Sequence, residues 1–456
     1  MWSSEVPAPM TSRALRPLSV AIIGSGPAGF YTAYRLMDRL PDAMVDMYEK
    51  LPVPFGLSRF GVAPDHPEVK NCQDKFDEVA ASTRFRFIGN TMVGGASSFA
   101  NGSGTPGFKP NVVPLQVVRG NYDAVVLAYG AESDKTLAAA ATTTTPTGVM
   151  SARAFVGWYN GHPEFQHLEP DLTAGEHAVV VGHGNVALDV ARVLLAGMVT
   201  LRHTDITDRA LSVLATSTIR NVRVVGRRGP AQAAFTNKEV RELMTLPGVT
   251  YVPPPADVLA PLLDRFQDKT ALSRSQKRLL QLLQKKQQEQ QQHDDHRRPS
   301  FSLDFLLSPS QFIADADNHV QAVEFDRMHL DGDPVNKHTS ARPTGQILQV
   351  PAAAVFVSVG YQTQPLAGIE HAYNSSGNRL FHDLGKVGSG LYAAGWIKRG
   401  PIGVIAETMY DAFETADTVN DNDRRGWDGV QATLGSALNW HVAERELGKS
   451  HMLAVL

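Results

Sequence analysis

The chain has 456 residues, 43% of them hydrophobic, and a formal net charge of −3. That length gives room for two or three domains, the charge weighs against a nucleic-acid binder, and no apolar run reaches the length of a membrane span. The single cysteine, Cys72, excludes an internal disulfide, a C-x-x-C redox pair and a cysteine-ligated iron–sulfur cluster, so if the protein handles electrons they must leave by another route.

The first residues, MWSSEVPAPMTSRALRPLSV, place Arg13 and Arg16 among Ser, Thr and Ala. That is the composition of a mitochondrial presequence, against which Glu5 and three prolines count. A short apolar run, Val20 to Ile23, then predicts a buried strand. Gly24, Gly26 and Gly29 follow in the spacing G-x-G-x-x-G, and a helix with Phe30, Ala33, Tyr34, Met37 and Leu40 on one face comes after them. A second strand, Met44 to Tyr48, ends in Glu49, 20 residues past Gly29. Such a unit binds a dinucleotide. The first glycine allows the turn, the second lets backbone approach a pyrophosphate, the third lets helix and strand pack, and the acid holds a ribose hydroxyl. Glu49 favours FAD or NAD and disfavours NADP at this turn.

Leu51 to Lys70 is punctuated by Pro and Gly and predicts a loop beside the cofactor, with His66 in it and a helix after Pro67. Residues 94–114 are a Gly/Ser/Asn/Pro-rich surface insert, and Thr142 to Thr145 form a second low-complexity patch. Between them Asn121 to Ala131 predicts a buried strand closed by glycine.

The opening theme returns at His177. A strand over Ala178 to Val181 leads into Gly182-His183-Gly184-Asn185-Val186-Ala187, a G-x-G-x-x-A turn before a helix. The next strand, Asn221 to Val225, ends in Gly226-Arg227-Arg228 where an acid would otherwise stand. Two arginines there fit the 2′-phosphate of NADP. Two such turns, one backed by an acid and one by arginines, imply FAD first and NADP second. Phe235 to Leu246 predicts a helix capped by Thr236, with Glu239 and Glu242 on one face. Ala271 to Arg298 predicts a helix that decays into a Gln-, Lys- and His-rich surface segment over 284–299. Ala322 to Leu330, Ile347 to Gly360 and Leu391 to Gly395 predict strands. Ala353 to Tyr361 resembles Ala124 to Ala131 in form, an apolar strand closed by glycine. A last helix starts near Gly403, its N-terminus suited to negative charge on a reduced flavin.

Long stretches of the chain resemble the adrenodoxin reductase family and its bacterial NADPH–ferredoxin reductase relatives. They are VPFGLSRFGVAPDHPEVKN from Val53, SARAFVGWYNG from Ser151, GNVALDVAR from Gly184, VGRRGPAQAAFTNKEVREL from Val225 and GWIKRGPIGVIAETM from Gly395. The resemblance implies an α/β fold of two Rossmann-like dinucleotide-binding domains. The NADP domain, 132–350, would be inserted into a discontinuous FAD domain, 15–131 and 351–456. It implies hydride transfer from NADPH to FAD and single-electron transfer to a [2Fe–2S] ferredoxin. The FAD contacts it implies are Gly24, Gly26, Pro27, Ala28, Gly29, Glu49, Leu57, Trp396, Gly403, Val404 and Ile405. The NADP contacts are His183, Gly184, Asn185, Val186, Arg227, Arg228, Glu239 and Gly403, with His66, Asp189 and Glu242 as polar groups near the flavin. A monomer is expected, in mitochondria, meeting an acidic ferredoxin through some of Arg220, Arg223, Lys238, Arg241, Lys277 and Arg278. An FAD- and NADPH-dependent monooxygenase is the competing activity. A disulfide reductase lacks its second cysteine, and a non-catalytic NADP sensor has only the low-complexity segments to recommend it.

Overall fold

Ser19–Ile23, four of its five residues buried, is a central strand. It pairs in parallel with Met44–Tyr48 on one side and Ala124–Leu127 on the other. Phe85–Ile88 and Leu391–Ala393 extend this sheet in parallel, and Lys386–Gly388 closes it antiparallel, for six strands in all. In this computed structural model residues 17–94, 110–137, 145–265, 272–290 and 298–419 are described, apart from 375, 377 and 378. The arginine-bearing N-terminus, most of the Gly/Ser-rich insert and the Thr-rich patch, and residues 291–297 and 420–456, lie outside them.

A second six-stranded sheet is parallel throughout. Its order is Thr250–Val252, Ser300–Phe305, Asn221–Gly226, His177–Val181, Ala354–Val357, Val149–Ser151. Helices cover one face, burying Phe155, Leu188, Val193 and Leu243 against Val180, Val224 and Phe356. A three-stranded antiparallel sheet, Leu307–Ala314, Val320–Asp331 and Ser340–Pro351, covers the other, setting Phe312, Val323 and Phe325 on Val179, Val225 and Val355. The chain leaves the first domain through Ser133–Asp134 and returns through Tyr361–Gln362, and these two segments pair antiparallel. Among the described residues no helix is long and apolar enough to cross a membrane.

The boundary expected at 351 moves. The run from Ile347 to Gly360 is two strands. The first part ends the antiparallel sheet at Pro351, and Ala354–Val357 enters the second parallel sheet between His177–Val181 and Val149–Ser151. The likeness to Ala124–Ala131 nevertheless has a structural meaning. Ala124–Leu127 and Ala354–Val357 hold the same place in their two sheets, each beside the strand that leads into a glycine turn. Ala128 N–H donates to Ile23 and Ser358 N–H to Val181, both at 2.7 Å. An apolar strand closed by glycine suits either sheet, and only the pairing decides which. Two low-complexity expectations also narrow. Asn111–Val113, inside the 94–114 insert, is a strand parallel to Thr91–Val93. The helix Arg274–Gln290 runs on past 284, with Gln287 donating to the Pro254 carbonyl at 3.2 Å.

Candidate functional site

A cleft of about 750 Å³ runs between the two domains. On the first-domain side it is lined by Gly24 to Ala28, Glu49 and Lys50, Gly56 and Leu57, His66, Trp396 and Gly403 to Ala406. From the second domain come Arg153, His162, Glu164, Asn185, Val186, Asp189, Thr236, Lys238 and Glu239.

The glycines of the first turn have three different surroundings. Gly24 has φ of +104°, and a Cβ there would lie 2.6 Å from the Ala128 carbonyl oxygen. A Cβ on Gly29 would lie 2.1 Å from the Gly24 oxygen; Gly29 packs helix on strand and does not face the cleft. Gly26 meets nothing within 4 Å and is the N-cap of Pro27–Arg39, with no side chain capping the helix. Open space, free N–H groups and a positive helix end are what a bound pyrophosphate would need at that point. The second turn repeats this. Gly182 has φ of +138° and backs onto the Ser358 oxygen, and Gly184, N-cap of Asn185–Leu195, meets nothing within 4 Å.

Glu49 is 8% exposed. Its carboxylate accepts from Ser25 N–H at 2.9 Å, Ser25 Oγ–H at 2.6 Å and Leu51 N–H at 3.0 Å. Burial raises its pKa, against the pull of these hydrogen bonds. The carboxylate is therefore held in one orientation on the cleft wall, with one lone-pair site, on Oε1, left for a ribose hydroxyl. Trp396 lies in the cleft against the Tyr361 ring, centroids 5.3 Å apart. Its turn is anchored from behind, because Gly395 N–H donates to the Asp411 carboxylate. Lys398, 2% exposed, bridges Asp411 at 3.2 Å and Glu414 at 2.7 Å. The last helix begins at Ile405 with Val404 as N-cap, two residues beyond the expected start.

His183 departs from expectation. Its ring turns away from the cleft, Nε2 lying 3.0 Å from the Val224 carbonyl oxygen. It packs between Phe235 and Phe305, and a Cβ on Gly226 would be 2.2 Å from its Nδ1. Burial pushes its pKa down to about 4, so the ring is a neutral packing group. Only its backbone serves the turn, accepting from the N–H groups of Ala234 and Phe235. Asn185 Oδ1 accepts from Thr236 N–H at 2.8 Å and ties the second turn to the helix Asn237–Met244. Arg227, exposed, and Arg228 follow the Asn221–Gly226 strand outside the cleft lining; Arg228 donates to the Lys337 carbonyl at 3.1 Å.

The polar residues expected near a flavin do meet, across the domain boundary. His66 Nε2 lies 2.9 Å from Glu242 Oε2 and its Nδ1 3.9 Å from Glu239 Oε2. The centre of the group is a residue that the sequence reading passed over, Arg192, 3% exposed. Its guanidinium donates to both Asp65 oxygens, at 2.5 and 3.0 Å, and to Asp189 at 2.7 Å, with Glu239 at 3.6 Å. Burial opposes ionisation of Asp65, but the Arg192 hydrogen bond and charge override it and lower its pKa. Burial raises Asp189 despite Arg192, and burial together with the Asp189 charge raises Glu239. The available signal was the i,i+3 spacing of Asp189 and Arg192 just after a glycine turn. Of the basic residues considered for docking, Arg223 pairs with Asp304 at 2.6 Å and Lys238 with Glu68 at 2.9 Å, while Arg241 and Arg278 are exposed.

Two dinucleotide-binding folds facing one cleft, one turn backed by an acid and the other by arginines, define a two-nucleotide oxidoreductase. No family model matches the chain. It is 39% identical over 460 residues to the probable mitochondrial NADPH:adrenodoxin oxidoreductase of Schizosaccharomyces pombe, covering 95% of this chain and 92% of that protein. The human mitochondrial NADPH:adrenodoxin oxidoreductase is 42% identical, with 91% of this chain and 83% of that one covered. The solved structure of FprA of Mycobacterium tuberculosis in complex with NADPH superposes with a TM-score of 0.75 at 38% identity, covering 89% and 84% of the two chains. The chain belongs to the NADPH:adrenodoxin oxidoreductase family.

Proposed function

We propose that this protein oxidises NADPH at a bound FAD and passes the electrons singly to a [2Fe–2S] ferredoxin. The observation that carries the reading is one continuous cleft joining the Gly24–Glu49 unit to the Gly182–Ala187 unit. FAD supplies the chemistry, taking up a hydride and releasing electrons one at a time. The protein binds and orients. Gly26 and the helix start at Pro27 hold the FAD pyrophosphate, Glu49 holds its ribose, and Leu57, Trp396 and Gly403 to Ile405 flank the flavin half. Gly184 to Val186 hold the NADPH pyrophosphate, and Arg227 and Arg228 its 2′-phosphate. Glu239 and Asp189 line the cleft between the two turns, and His66 Nε2 pairs with Glu242 Oε2 at 2.9 Å beside them. The cleft between the domains would position donor and acceptor and exclude water.

Arg241 and Arg278 offer unneutralised charge to an acidic ferredoxin, so docking weakens as salt rises. The names of the relatives support a mitochondrial site of action, and the chain acts as a monomer. The test is cytochrome c reduction by the purified protein with NADPH, which a [2Fe–2S] ferredoxin accelerates strongly. No acceleration, with NADPH oxidised in step with oxygenation of a small substrate, would establish the monooxygenase instead. His66→Gln and Glu242→Gln change the rate of flavin reduction in stopped flow while leaving the bound flavin content unchanged. Loss of FAD from either variant assigns that residue to the scaffold.

A further inference from the structure

Lys50 follows the ribose-holding Glu49 directly and does something that FAD binding by itself does not require. Its Nζ reaches across the cleft to Glu132 Oε2 at 2.8 Å and Glu164 Oε1 at 2.6 Å. Glu132 belongs to the linker that leaves the first domain, and Glu164 lies in the second domain, on the 3₁₀ turn Pro163–Phe165. The three charges line the same cleft as Glu49, which in the FAD reading would hold the adenosine ribose. Lys50 and Glu164 are 18% and 21% exposed, and all three line the cleft.

The same stretch of the second domain is seated on the first by neutral contacts. Asn160 donates to the carbonyls of Phe60 and Val62 at 3.2 and 3.0 Å. The His162 ring meets Phe60 edge-on at 4.8 Å. His162 is neutral, its pKa pushed down to about 4 by burial, and its Nδ1 accepts from Glu164 N–H, which orients the Glu164 backbone. Half-buried ion pairs contribute little net stability because desolvation offsets their attraction. A lysine held between carboxylates of two different segments does define one relative position of those segments.

We infer that Lys50, Glu132 and Glu164 form a latch that closes the second domain over the adenosine half of the FAD site and sets how slowly FAD leaves. The inference rests on the FAD reading of the Gly24–Glu49 unit. FAD departs only when the second domain lifts from the cleft, and lifting it breaks the contact of Lys50 with Glu164. Truncating one partner of a buried charge pair acts chiefly on dissociation rates.

The experiment dilutes FAD-loaded full-length protein and follows the fluorescence of released flavin. Lys50→Met and Glu164→Gln each release FAD about tenfold faster or more than the unaltered protein, and Lys50→Glu combined with Glu164→Lys recovers part of the loss. Added salt speeds release from the unaltered protein and has little effect on Lys50→Met, a difference that a general loss of stability would not produce. Should Lys50→Met fail to fold, Glu164→Gln, altered on the other domain, decides. Release within about twofold of the unaltered rate in the folded variants overturns the latch and leaves the FAD site standing. An unaltered protein that takes up no FAD overturns both.

Discussion

In the Arg227→Ala, Arg228→Ala double variant, the KM for NADPH rises about a hundredfold while that for NADH stays within about threefold. The two coenzymes differ only in the 2′-phosphate, so an effect confined to NADPH isolates contacts to that group. A hydrogen bond to a charged partner contributes about 1.5–3 kcal/mol, and two of them account for the hundredfold ratio. Both arginines directly follow the C-terminal end of the strand Asn221–Gly226, and Arg228 donates to the Lys337 carbonyl at 3.1 Å. Burial and the adjacent Arg227 charge lower the pKa of Arg228, but a guanidinium stays protonated at neutral pH. Steady-state kinetics with both coenzymes checks the prediction. Equal losses for NADPH and NADH would place the two arginines elsewhere in the binding process and sink the assignment.

The second large effect is on stability. Arg192→Leu costs about 3–5 kcal/mol in chemical denaturation, because it leaves buried carboxylates without their counter-charge. Arg192→Lys recovers only part, since an ammonium cannot reproduce the two-pronged contact with Asp65. The pH dependence gives an independent reading. Asp65 has its folded pKa lowered, so its contribution is present above the unfolded value of about 3.9 and is lost as pH falls through the lower folded value. Without the guanidinium, burial and mutual repulsion raise Asp65, Asp189 and Glu239 together. The Leu variant therefore loses stability as pH rises through those raised values. A Leu variant within about 1 kcal/mol of the unaltered protein, with an unchanged pH profile, would show that the cluster does not hold the domains.

Much of the site was legible before the fold. Both glycine turns, the acid behind the first, the arginines behind the second and the Thr236 cap depend on residues close together in the chain. Their meaning comes from spacing alone. His183 shows the limit. Its place inside G-x-G-x-x-A suggested a nucleotide contact, yet its ring packs under Gly226 and Phe305. A sequence gives the position of a side chain along a turn, and rotamer and neighbours decide which way it points.

By itself the sequence determined that this chain builds two dinucleotide units and that they take different nucleotides, because short-range spacing sets turn geometry and the charge at each ribose. Only the tertiary structure decided the rest. It placed Ala354–Val357 in the second sheet, since an apolar strand carries no mark of its partner. It brought Arg192 to Asp65, 127 residues away, and Lys50 to Glu164, 114 residues away. Both contacts cross from one domain to the other, and the charges that meet there leave no local pattern in the chain.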